Sequence, residues 1–254
     1  MLRSRGPLGV AAGCLIAAIL CVPAQAESNP KKILDPIGPT RGICVVIGQC
    51  QAAIDLARPS EWTFFVQVST PDEFAAACKA AEAAGLLGRR IFVAQASPAR
   101  IGLADNVADA VVVSGQATVA KGEILRVLRP EGKAIVGQET WTKPFPEGVD
   151  DWSHHYHGPD NNPQSRDRVA RAPYLTQFIA EPRYAPAPQA AVSSAGRLFM
   201  AFGHIAWHQR EEPMMNMLVA LNAFNGTMLW KRPLTPGVMV DRSTMVATPE
   251  LLYL

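Results

Sequence analysis

Arg41-Gly42-Ile43-Cys44-Val45-Val46-Ile47-Gly48 is the stretch that decides the fold. Its centre is apolar, rich in β-branched residues and unbroken rather than alternating. That is the pattern of a parallel strand covered on both faces, and Gly48 stops it. A second run of the same kind spans Trp62 to Val68. Pro71-Asp72-Glu73 then opens a helix, with proline and acids in the first turn, where free amides and the positive dipole end favour them. The helix continues from Phe74 to Ala84, and Gly85 ends it. Further strands are expected at Arg90–Val93, Ala110–Val113 and Lys133–Val136, with a helix over Glu123–Leu128. Strand and helix alternate at a spacing that builds right-handed βαβ units, so the expected class is α/β with a doubly wound sheet.

Two stretches carry a family resemblance. Gly102-Leu103-Ala104-Asp105-Asn106-Val107-Ala108-Asp109-Ala110-Val111-Val112 resembles a strand-entry motif of class I S-adenosylmethionine-dependent methyltransferases. Glu123-Ile124-Leu125-Arg126-Val127-Leu128-Arg129-Pro130-Glu131-Gly132-Lys133 resembles the helix-turn that follows it in that family. The resemblance covers roughly residues 35–140 and implies a Rossmann-like, methyltransferase-like domain over 33–140. It also implies a cofactor at the carboxyl ends of the strands, where glycines let the backbone approach and acids hold the ribose hydroxyls. In the family pattern the first strand ends in an acid followed by three spaced glycines. Gly48 holds the first glycine, but Cys50 and Ala52 stand at the next two and Val46 at the acid. The ribose-binding acid falls near Gln67 to Ser69, none of them acidic. Asp72 is nearest and reads as part of the helix start. The position facing the adenine falls near Ser97.

Gly48, Asp105 and Asp109 are therefore the cofactor-site candidates, the two acids being equally readable as loop and strand-entry residues. A charge-assisted bond contributes about 1.5–3 kcal/mol, and here several are missing together. S-adenosylmethionine is expected to bind weakly or not at all, leaving the domain catalytically degenerate. A working methyltransferase is the alternative.

The amino terminus points to export. Arg3 and Arg5 precede an apolar run from Leu8 to Val22, and Ala24-Gln25-Ala26 supplies a small-x-small cleavage site. Residues 1–26 are expected to be a signal peptide directing the chain to the periplasm or cell envelope, with no transmembrane segment in the mature chain. Cys44, Cys50 and Cys78 then remain, an odd number without the spacing of a disulfide framework, zinc ribbon or c-type haem. A net charge of +2 with no basic tract argues against nucleic acid as a partner.

Residues 141–190 read as a linker rich in Pro, Asp, Asn and His. Within Asp150-Asp151-Trp152-Ser153-His154-His155-Tyr156-His157-Gly158-Pro159-Asp160 the three histidines His154, His155 and His157 are candidate metal ligands, since imidazole and carboxylate suit zinc, iron or copper. The competing reading is a connector whose polar side chains satisfy an irregular backbone. The wording also resembles the lead-in to the propeller of exported quinoprotein-like repeat proteins.

Residues 191–254 read as β-structure. Strands are expected at Arg197–Phe202, Met217–Phe224 and Thr227–Arg232, the last two joined by Asn225-Gly226 in a type I′ turn with φ > 0 at both residues. Ala220-Leu221-Asn222-Ala223-Phe224-Asn225-Gly226-Thr227-Met228-Leu229-Trp230 resembles the repeat of pyrroloquinoline-quinone (PQQ)-type β-propellers, with Asn222 where the repeat has Asp. Val246–Leu254 reads as the first strand of a next blade. His204 and His208 read as loop residues. Since propellers close with ~4–8 blades, an all-β incomplete propeller segment is expected here, truncated, with Trp230 awaiting a neighbouring blade. A partner of the propeller would be an unidentified small molecule or protein. Nothing in these residues supports PQQ itself, although the amino-terminal part of a quinoprotein dehydrogenase is a further alternative.

Overall fold

The computed structural model describes Asp35, residues 41–170, Ala172 and residues 178–235, Gly237 and 239–254, so the expected signal peptide lies outside the described residues. A six-stranded sheet runs in the order β3-β2-β1-β4-β5-β6, formed by β1 (Ile43–Ile47), β2 (Thr63–Val68), β3 (Ile91–Gln95), β4 (Ala108–Val113), β5 (Leu128–Val136) and β6 (Glu139–Thr142). The first five strands are parallel and β6 returns antiparallel along β5.

Side-chain alternation divides the core between two faces. Cys44, Val46, Phe64 and Val66 point to the face covered by α1 (Cys50–Ala57) and α2 (Pro71–Ala83). Val45, Ile47 and Val111 point to the other, covered by α3 (Lys121–Val127) and by Ile101 in the loop between β3 and β4. Helices on both faces of a mostly parallel sheet make the domain Rossmann-like and doubly wound.

Three local features depart from the sequence expectation. Helix α1, not foreseen, has no side-chain cap at Gln49 and no acid in its first turn, and six of its eight residues are buried. Packing therefore makes this helix, not propensity. Strand β5 starts five residues early, because Leu128 pairs with Ala108 before Arg129–Gly132 bulge out and Lys133 resumes the register opposite Ala110. β6 occupies the beginning of the segment read as linker.

A second sheet is a four-stranded antiparallel meander, β10-β9-β8-β7, with β7 (Pro188–Ser194), β8 (Arg197–Phe202), β9 (Met217–Asn222) and β10 (Met228–Pro233). Strand β7 extends into the supposed linker, and Trp152 bridges to Ser193 along its outer edge. A covered edge is protected from pairing with other chains. The expected turn is corrected. Gly226 has φ 73°, but Asn225 is not among the described non-glycine residues with positive φ, so the turn is not type I′. The loop instead closes through Gly226 N–H donating to the Asn222 carbonyl at 2.8 Å.

Val246–Leu254 is not one strand. Val246–Ala247 and Leu252–Tyr253 pair with each other as β11 and β12 around Pro249. Met245, Ala247 and Leu252 of this hairpin pack over one face of the second sheet. Trp230 is half-buried and packs against Phe199 in its own sheet, with ring centroids 6.0 Å apart.

Candidate functional site

The carboxyl ends of β1, β2 and β4 open into a cleft of about 760 Å³. Gly48, its φ at +103°, turns the chain from β1 into α1. A Cβ there would sit 2.5 Å from the Ser114 carbonyl, so only glycine lets the β1 and β4 loops approach this closely. The contact is locked by hydrogen bonds. Gly48 N–H donates to the Gln67 carbonyl, Gln49 N–H to Ser114 Oγ, and Ser114 Oγ–H to the Ile47 carbonyl.

The positions that should hold an acid have other tasks or none. Gln67 is buried, and its side chain spans to the β3–β4 loop, donating to the Ser97 and Arg100 carbonyls and accepting from Gly102 N–H. Ser69 and Pro98 line the cleft without charge, and Asp72 is not among its lining residues. Glu73 carries the one carboxylate among the described lining residues. Its Oε2 accepts from the amides of Thr70 and Ser69, both at 3.0 Å, and these bonds hold its carboxyl below the ordinary value. Thr70 returns the capping box by accepting from Glu73 N–H.

Asp105 and Asp109 are not part of this cleft. Both lie at the amino-terminal edge of β4, the opposite edge of the sheet from Gly48, because they precede or open the strand whose carboxyl end faces the cleft. The grouping of these three as one cofactor set is corrected on that ground. Asp105 pairs with Arg126 at 2.6 Å. Arg126 also holds Glu123 and the carbonyls of Leu103 and Ile101, pinning the β3–β4 loop to α3.

Asp109 is buried where the two sheets meet. Its Oδ1 accepts from Arg129 Nε and Asn222 Nδ2, and its Oδ2 from Ile43 N–H and Asn225 Nδ2. Asn225 donates further to the Val107 carbonyl and is fully buried. The residue read as a turn former is thus a docking side chain. Sequence reasoning missed this cluster, and the visible trace of it was Asn222 standing where the repeat has Asp. An Asp there would face Asp109 carboxylate to carboxylate.

The three histidines have separate surroundings. His157 is buried, with Nε2 2.8 Å from Asp150 Oδ2, Nδ1 3.2 Å from the Asn162 carbonyl, and its ring beside Trp152. Burial opposes charge on Asp150, but the Arg166 amide and the His157 ring outweigh it and hold the carboxyl below its ordinary value. His154 Nδ1 lies 2.9 Å from Ser153 Oγ, and the His155 ring packs against Tyr156 at a 59° tilt. Among the described residues no three His, Cys, Asp or Glu side chains group as a metal ion would require.

No family model matches the chain, and no curated protein matches it. Solved structures do. A Methanococcus maripaludis protein described as an S-adenosyl-L-methionine-dependent methyltransferase is 27% identical over 41% of this chain and 51% of its own, with a TM-score of 0.38. A Galdieria sulphuraria protein described as a sarcosine dimethylglycine methyltransferase is 20% identical over 41% and 43%, with a TM-score of 0.37. An Aquifex aeolicus S-adenosylmethionine-dependent methyltransferase is 15% identical over 42% and 61%, with a TM-score of 0.35. The chain spans about half the length of these structures. At TM-scores this low none of the likenesses bears on activity, and the Rossmann-like assignment rests on the strand order.

Proposed function

We propose that this chain is an exported protein in which a catalytically degenerate, methyltransferase-like domain carries a PQQ-like β-propeller binding module. Degeneracy is supported above all by the cleft, whose one lining carboxylate, Glu73, is engaged by the amides of its own helix start. The family pattern sets acids at the end of the first strand, at the ribose and facing the adenine. Val46, Ser69 and Ser97 supply none, so the residues present do not fit that cofactor. A saturating excess of S-adenosylmethionine should leave the melting temperature of the chain unchanged, because only a ligand that binds the folded state raises it. A clear rise in Tm would overturn the proposal. It would favour the second reading, a working methyltransferase, which draws support from the size and position of the cleft.

The binding module is supported by the four-stranded meander together with the repeat wording at Ala220–Trp230. Export rests on the leader sequence. Protein secreted by a bacterial host should start at Glu27 by intact mass, and a chain retaining Met1 would count against export.

A further inference from the structure

Cys50 and Cys78 stand on neighbouring helices, Cys50 at the wall of the cleft and Cys78 beside the lining residue Ala77. Cys50 is the first residue of α1, lines the cleft, and has its Sγ 3.6 Å from the Ala77 carbonyl oxygen. Cys78 follows Ala77 on α2 and is partly exposed. Peptide dimensions then put the Cys78 Cα within roughly 7 Å of the Cys50 sulfur. Adding the span from Cys50 Cα to its sulfur puts the two Cα atoms within roughly 9 Å. Disulfides form across about 4.4–6.8 Å, so closure takes a rotamer change and a shift of one helix against the other of up to roughly 2 Å. The helix contact is made of small residues, Ala53, Ala77 and Ala81 all being buried in the same cluster, which leaves the backbones free to approach. Burial pushes the Cys50 thiol up, and the neighbouring Cys78 pushes it further. The third of the described cysteines, Cys44, is buried inside β1 and lies about 10 Å below the carboxyl end of that strand, three residues at 3.3 Å each. It cannot reach either of the others.

We propose that Cys50 and Cys78 are a redox modification site, closing into a disulfide that staples the start of α1 to α2 beside the cleft. The oxidant is a small-molecule disulfide such as glutathione disulfide. The more accessible Cys78 thiolate attacks it, forming a mixed disulfide and expelling one glutathione thiolate, which takes up the Cys78 proton. Cys50 Sγ, having lost its proton to solvent, then attacks the Cys78 sulfur. The intramolecular S–S bond forms, the mixed disulfide breaks, and the second glutathione leaves as thiol. Two protein thiols are oxidised and one external disulfide is reduced. The bond replaces the Cys50–Ala77 contact and fixes the helix start at the cleft rim. None of this depends on whether the cleft binds S-adenosylmethionine.

The test is differential alkylation of the full chain after glutathione disulfide or dithiothreitol, followed by unfolding and peptide mapping. Oxidation should abolish alkylation of Cys50 and Cys78 together and yield one cross-linked peptide pair, lighter by two hydrogens. Dithiothreitol should restore both sites, and Cys44 should remain alkylated throughout. In Cys78→Ser, Cys50 should stay fully alkylated under the same oxidation. The proposal is overturned if both cysteines remain alkylated, if Cys78 holds glutathione while Cys50 stays free, or if Cys44 joins the cross-link.

Discussion

Asp109 accepts four hydrogen bonds, which uses the full capacity of a carboxylate. Asn222→Asp would place a second buried carboxylate 2.6 Å from its Oδ1. A buried charge left without compensation costs about 3–5 kcal/mol, and a loss of that order is predicted in urea unfolding. Asp109→Asn should also destabilise, since it leaves Arg129 unpaired. The double variant restores one carboxylate facing one amide and should be more stable than Asn222→Asp alone. Strictly additive losses would mean that the two side chains do not meet. Carboxylates whose pKa falls on folding set the acid limit. Glu123 is held below its ordinary 4.5 chiefly by its bond to Arg126, and Asp150 lies below its ordinary 3.8. A depressed folded pKa contributes stability above the unfolded value and loses it as pH falls through the folded one. Unfolding free energy should therefore decline from about pH 4.5 downward, and Glu123→Gln should flatten that decline; an unchanged slope would remove Glu123 from the account.

At the scale of elements, legibility followed the local signals. Helix α2 announced itself through Pro71, Asp72 and Glu73, and the structure adds a capping box from Thr70. Thr70→Ala should cost about 1 kcal/mol of unfolding free energy. A loss near zero would show that the Glu73 half of the box suffices. Strands β1, β2 and β4 were legible because unbroken β-branched runs have few other readings. Helix α1 was not, since Gln49 gives no cap and Cys50–Ala57 forms only by packing on β1 and β2. Strand β7 was hidden by its opening proline, and the β11–β12 pair reads as one apolar run although Pro249 breaks it into two. The acids of the methyltransferase-like motif were visible, but their edge of the sheet was not. Asp109 meets Asn222 across 113 residues of sequence, a separation that no local pattern spans.

At the scale of the whole molecule, the proposed reading is a nucleotide-type frame without its charges. Gly48 still permits the close approach of two loops, and the cleft still sits at the carboxyl edge of the sheet. The two acids read as cofactor candidates are engaged away from the cleft, Asp105 in pinning a loop and Asp109 in joining two sheets. If the proposed degeneracy has that cause, an acid placed at the end of β2 should bring binding in part. Ser69 is the position to use, because it lines the cleft and Gln67 is buried in a strut. The most direct measurement is isothermal titration of S-adenosylmethionine into the wild-type chain and into Ser69→Asp. The account predicts no saturable heat for the wild type at micromolar ligand, and tighter binding by the variant than by the wild type. A saturating micromolar complex with the wild-type chain would contradict it.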